Sequence, residues 1–235
     1  MTVYLDNAAT SWPKSPKVFL AMQAHMENCG GSPGRSAHGK SLESARMVYG
    51  TRDQLAGLFR SATAERVIFT KNATEAMNMV LSGFLNSGDH VVTSSMEHNA
   101  VMRPLRHLET LGIGVTVVPC DSLGRLDPFA VKRAITPSTK LIVLTHASNV
   151  TGALMPVTEI GEIARNAGVR FAVDAAQTAG VCPLDMPGMG IDFIVFTGHK
   201  EMAELKCEQI HGYGADVRVA TCKGSMSAYI EPAEE

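Results

Sequence analysis

From Glu65 onward the chain repeats one pattern: a short apolar, β-branched run, a turn, then a longer stretch whose apolar residues recur at helical spacing. Arg66–Thr70 predicts a strand, and Thr74–Leu85 a helix with Met77, Val80, Leu81 and Phe84 on one face. Asp89–Ser95 predicts a second strand, followed by a helix from Asn99 to about Leu111. The runs VTVVP (115–119), LIVLTHA (141–147), VRFAVDA (169–175) and DFIVFTG (192–198) supply further strands. Helices over Pro128–Ile135 and Val157–Ala167 lie between some of them. Repeated βα units of this kind predict an α/β fold, a mostly parallel twisted sheet flanked by helices, with ligand chemistry at the carboxyl ends of the strands.

The first 39 residues are richer in Gly and Pro and predict irregular structure, with NCGGSPGRSAHG (28–39) as loop. A helix begins at Ser41, with Leu42, Ala45, Val48, Leu55 and Leu58 as its expected buried stripe. The 235 residues suffice for one α/β domain with a small appendage. The expected organisation is an N-terminal segment over residues 1–14, a ligand-binding large domain over 15–200 and a tail over 201–235.

Charge and cysteine usage narrow the function. A net charge of −2 and the lack of any Lys/Arg-rich stripe argue against nucleic acid as a partner. The start, MTVYLDNAATSWPK, has no basic region leading into an apolar run, and no later stretch is long enough to span a bilayer, so a cytoplasmic protein without a membrane partner is expected. Cys29, Cys120, Cys182, Cys207 and Cys222 are scattered, with no C-x-x-C pair, and read as reduced thiols rather than as a disulfide framework or a zinc site.

Four short stretches fall where predicted strands end: TKNATEA, SSMEHN, VDAAQ and TGHK. Together they hold what a pyridoxal phosphate site needs: a lysine amine, a carboxylate for the pyridine nitrogen, an imidazole to lie over the ring and a helix N-terminus for the phosphate. Lys200 follows a strand and a Gly-His step, and is the candidate for holding the cofactor covalently. Asp174 ends an apolar run, so its carboxylate emerges at the same edge, where negative charge keeps a pyridinium protonated. Gln177 and Asn149 are candidates for the ring's phenolic oxygen, and His98 for the ring face and for proton transfer. Thr74 opens a helix after Asn72 and Ala73, so backbone N–H groups and its hydroxyl are candidates for cradling the phosphate, joined by Thr197 and His199. A strand-ending Asp alone is equally a cap or turn former, and Thr74 before Glu75 equally an N-cap. What points to the cofactor is the set, in order and all at strand ends.

The stretches YLDNAAT (4–10), TKNATEAMN (70–78), SSMEHNAVMRPL (94–105), HASNVTG (146–152), VDAAQTAG (173–180) and FTGHK (196–200) resemble the class V aminotransferase family of fold-type I enzymes, and within it cysteine desulfurases and selenocysteine lyases. The resemblance runs from residue 1 to about residue 200. It implies pyridoxal 5'-phosphate as cofactor and Lys200 as the lysine that holds it, with Asp174 at the pyridine nitrogen and Gln177 and Asn149 near the phenolic oxygen. It further implies His98 stacked on the ring, and Ala73, Thr74, Thr197 and His199 at the phosphate. It also implies a homodimer with the 28–39 loop near the subunit boundary, an amino-acid substrate, cysteine foremost, and a sulfur-acceptor protein as partner. The implied activity is removal of sulfur from L-cysteine, giving alanine and a persulfide, with aminotransfer or selenocysteine lysis as alternatives.

After Lys200 the likeness stops. Family members continue into the rest of the large domain and a small domain that supplies a nucleophilic cysteine and a carboxylate-binding arginine. Residues 201–235 instead predict a short helix (Met202–Ile210), a Gly-rich turn, one strand (Asp216–Thr221) and a frayed acidic end. Cys207 and Cys222 read as ordinary thiols, and Arg218 as a solvated strand residue. The expectation is therefore a large domain truncated after the cofactor lysine, without the C-terminal small domain. Its possible fates are cofactor capture without turnover, or a non-catalytic remnant with exposed sheet edges.

Overall fold

The computed structural model of the chain describes residues 3–200 and the strand at 227–230. Its centre is a seven-stranded sheet of β1 (Val67–Thr70), β2 (His90–Ser94), β3 (Gly114–Val118), β4 (Thr139–Thr145), β5 (Arg170–Asp174), β6 (Phe193–Thr197) and β7 (Ser227–Ile230), in the order β1-β7-β6-β5-β4-β2-β3. β3, β2, β4, β5 and β6 run parallel. β7 lies antiparallel to both β6 and β1, so β1 joins the sheet through β7.

The strands are apolar on both faces because helices cover both. Val91, Leu141, Val143, Ala172, Phe193 and Val195 pack toward α3 (Ala73–Phe84) and α4 (Asn99–Thr110). Their neighbours Val92, Ile142, Leu144, Phe171, Val173, Ile194 and Phe196 pack toward α2 (Gly39–Leu58), α5 (Pro128–Ala134), α6 (Val157–Ala167) and the short α7 (Met186–Met189). Period-two alternation thus feeds two cores from one set of strands. Aromatic pairs tie each layer to the sheet: the Phe59 and Phe196 ring centroids are 4.8 Å apart, and those of Phe84 and Phe193 are 5.5 Å apart.

The predicted strands appear within one or two residues of their expected bounds, and α6 occupies the expected span. Three expectations are corrected. Residues 16–28, read as irregular, form helix α1 (Pro16–Asn28), which begins with Pro at its first position and buries none of its residues. The lack of a buried stripe is why hydrophobic spacing did not reveal it. In α2 the buried face is Ser41, Ser44, Thr51, Leu55 and Ala56; Leu55 is buried as expected, but Leu42 is exposed, and small polar residues take the inward positions of the first turns. Near the end of the chain, where a frayed segment was expected, Ser227–Ile230 is the strand between β1 and β6. The helix expected at Met202–Ile210 and the strand expected at Asp216–Thr221 lie outside the described residues. Among the described residues no helix is long and apolar enough to cross a membrane.

Close approach of α6 and α7 depends on one glycine. A Cβ at Gly161 would overlap the carbonyl oxygen of Met189. Ala normally gains up to about 1 kcal/mol over Gly in a helix interior. Here Gly161→Ala should instead destabilise the fold by about 1–3 kcal/mol through overpacking, read as a lower midpoint in urea unfolding with an unchanged slope.

Candidate active site

All strand ends that carried motifs meet in one cleft at the carboxyl edge of the sheet. It is lined by Asn72, Ala73, Thr74, His98, Ala100, Thr145, Ala147, Asn149, Asp174, Ala176, Gln177, Thr197, His199 and Lys200. The nine residues singled out from sequence are all among them. Its cavity of ≈ 140 Å³ is roughly tenfold what a single ordered water needs, so the cleft has the scale of a small-molecule site.

One wall is the start of α3. Asn72 caps the helix, its side-chain oxygen accepting from the Glu75 N–H at 2.8 Å, and Glu75 Oε2 accepts from the Lys71 N–H at 2.6 Å. This leaves Ala73 and Thr74 as the first two helical residues, whose N–H groups have no carbonyl within the helix to donate to. An anion is favoured there by both the open donors and the helix dipole. Thr197, the last residue of β6, is buried, and its Oγ1 has no hydrogen-bond partner among the described residues. A buried hydroxyl without a partner is costly unless a ligand supplies one.

Another wall is Asp174, which ends β5 and is 5 % exposed. Burial pushes its carboxyl above the ordinary range; the Ala176 N–H, which donates to Oδ1 at 3.0 Å, and interaction with His98 and Lys200 pull it back. A carboxyl in this setting gains from a cationic ring nitrogen brought against it. His98 caps α4, its Nδ1 accepting from the Ala100 N–H at 3.1 Å. With Nδ1 an acceptor, Nε2 is the protonated nitrogen of the neutral ring.

The far wall was not legible as such from sequence, because it comes from the opposite end of the chain. The segment before α1 lies across the turn that carries Lys200: Thr10 Oγ1, Ser11 Oγ and Lys14 Nζ donate to the His199 carbonyl at 3.1, 3.2 and 2.6 Å. His199 Nδ1 is 3.1 Å from Thr10 Oγ1, and burial, then the charges of Lys200 and Lys14, hold its imidazole below the usual value. Gln177 Nε2 donates to the Ala8 carbonyl at 3.1 Å, leaving a second amide hydrogen for a ligand. The motif YLDNAAT marked this segment by resemblance, but nothing local in it announced contact with His199 and Gln177. Ala100, Thr145, Ala147 and Ala176 were likewise not named from sequence, although each adjoins or lies near a motif residue.

The donors, the buried carboxyl and the lysine therefore fit a ligand with an anionic end and a cationic aromatic ring. Similarity to known proteins points the same way. The family model described as Aminotransferase class-V matches residues 3–204. A probable cysteine desulfurase of Methanothermobacter thermautotrophicus is 37% identical over 199 residues, spanning 84% of this chain and 49% of that protein. A cysteine desulfurase IscS of Vibrio campbellii is 34% identical over 206 residues, spanning 85% and 50%. The apo structure of a cysteine desulfurase from Thermococcus onnurineus NA1 superposes with a TM-score of 0.83 at 30% identity, over 97% of this chain and 53% of that one. SspA in complex with cysteine superposes with a TM-score of 0.82 at 26% identity, over 97% and 61%. The chain thus spans about half the length of the curated relatives it matches.

The raised Asp174 carboxyl sets a pH dependence. An unfolded chain releases this proton near the ordinary carboxyl value of about 3.9, whereas the folded chain retains it to higher pH, so this group lowers stability as pH rises above that value. Asp174→Asn in the cofactor-free chain should therefore raise the melting temperature at pH 7 by about 2–4 °C per kcal/mol relieved. The two proteins should converge below about pH 4. Scanning calorimetry across pH 4–8 checks this.

Proposed function

The chain belongs to the class-V aminotransferase family, and from that premise we propose that it binds pyridoxal 5'-phosphate at Lys200 and takes part in removing sulfur from L-cysteine. The observation that carries this reading is the convergence, at one sheet edge, of a lysine, a buried carboxyl, a helix start with open N–H donors and a buried hydroxyl without a partner among the described residues. Cysteine as substrate is supported by relatives named cysteine desulfurase and by the cysteine bound in SspA.

In this reading Lys200 holds the cofactor through its amine, and the Ala73 and Thr74 N–H groups with the hydroxyls of Thr74 and Thr197 receive the phosphate, His199 beside them. Asp174 would hold the proton of the ring nitrogen. Asn149 and the remaining amide hydrogen of Gln177 would serve the ring's phenolic oxygen as donors. His98 would hold the ring face, with its Nε2–H available to pass a proton. Once bound, the cofactor supplies an electron sink that weakens the bonds at the substrate Cα. The Lys200 amine would also be the group to move the Cα proton of the substrate. Formation of persulfide also needs a thiol nucleophile, a role the resemblance assigns to a loop outside the matched residues. A homodimer and a sulfur-acceptor protein, and residues 15–200 as the cofactor-binding unit, belong to the same proposal.

The test is to titrate the purified full chain with pyridoxal phosphate, reduce it with borohydride and map the adduct by mass spectrometry. One adduct per chain on Lys200 is expected, lost in Lys200→Ala, with affinity at least about tenfold weaker in Asp174→Asn, the loss of one charge-assisted contact of about 1.5–3 kcal/mol. An adduct spread over surface lysines, or none, would overturn the reading.

A further inference from the structure

Glu97 stands next to His98 in sequence, yet the site described above gives it no task. It lies in the turn between β2 and α4. Its residue is part-buried, with the carboxyl at the inner end: Oε1 is 2.5 Å from Ser94 Oγ, and Oε2 accepts from the Thr145 N–H at 2.8 Å. Ser94 is the last residue of β2 and Thr145 the last of β4, and these strands are neighbours in the sheet. The carboxyl therefore laces two strand ends together at the edge where the cleft opens, and Thr145 itself lines that cleft.

Both hydrogen-bonding partners are uncharged, and the charged group acting on Glu97 is the carboxyl of Asp174 on β5. His98 at the start of α4 and the Lys200 amine after β6 act on Asp174. An ionised Glu97 would place a second negative charge in the interior beside the first, without a cation of its own among the described residues, an arrangement that costs several kcal/mol in general. The neutral acid avoids this, and because a hydroxyl turns freely, Ser94 Oγ serves as donor or acceptor to it.

We propose that Glu97 is a positioning residue kept as a neutral carboxylic acid, which pins β2 to β4 at the edge of the cleft and leaves Asp174 as the one negative charge offered to the cofactor. Consistent with this geometry, burial carries the Glu97 carboxyl up to about 8, against the pull of its hydrogen bonds to Ser94 and Thr145. The neutral state of Glu97 stands without the cofactor; its consequence for Asp174 rests on the pyridoxal phosphate reading.

The sign of the pH effect follows from linkage. The folded chain keeps a proton that the unfolded chain gives up above the ordinary carboxyl value, so the native chain loses stability as pH rises toward about 8, and Glu97→Gln does not. The unfolding constant of the native chain relative to Glu97→Gln should climb about tenfold per pH unit between about pH 5 and about pH 8. Infrared spectra of the unsubstituted chain with labelled glutamate carboxyls should show one carboxylic-acid band that persists at pH 7 and fades above about pH 8. Glu97→Ala should weaken pyridoxal phosphate binding by about tenfold, with Glu97→Gln restoring it. Parallel pH profiles, or the absence of that band at pH 7, would refute the neutral acid even if a variant failed to fold. If the chain binds no pyridoxal phosphate at all, the functional reading fails, while the infrared result still decides the state of Glu97.

Discussion

Asp174 sits where a carboxylate is least at home, at the end of a strand enclosed by apolar neighbours on both sides, and much of the structure serves that position. A parallel sheet covered by helices on both faces can be entered only at its edges, and the carboxyl edge gathers the turns that follow β1, β2, β4, β5 and β6. A carboxyl held there is driven toward its neutral form by burial and toward its charged form by any cation that arrives. It is thus a fixed demand for positive charge. The start of α3 makes the opposite demand, for an anion, through N–H groups that the helix cannot use. A ligand carrying both charges on a rigid ring answers the two at once, with Lys200 in the same cleft to keep it there.

The N-terminal segment converts this edge into an enclosed site. Three side chains from residues 10–14 converge on a single carbonyl, that of His199, and so fix the turn in which Lys200 stands. Gln177 is tied to the same segment through Ala8. The turn that carries Lys200 is therefore held by contacts almost two hundred residues apart in sequence, and the geometry of the cleft depends on the segment before α1 as well as on the strands.

The strands were legible because each carries its own signal: a β-branched run bounded by a turn, long enough to be buried on both faces. Helices α3 and α6 were legible from apolar spacing, and the meeting of nine residues in one cleft from their place at strand ends. What escaped was whatever depends on partners distant in sequence. Helix α1 buries no stripe, so it left no periodic trace. In α2 the inward face is set by serines and a threonine, which periodicity arguments count as polar. Glu97 reads as an ordinary acidic turn residue until the Thr145 amide, contributed by another strand, is seen to close over it. Ser227–Ile230 is short and lies among polar residues, and only the gap between β1 and β6 gives it a place.

That last strand has a consequence for how the molecule comes into being. On the ribosome β1, with α3 directly behind it, leaves the tunnel well before its partner. Its hydrogen-bonding edge faces β7, which lies more than 150 residues further along the chain. Until β7 follows, β1 must wait with unpaired N–H and C=O groups, open to wrong strand pairing or to capture by a chaperone.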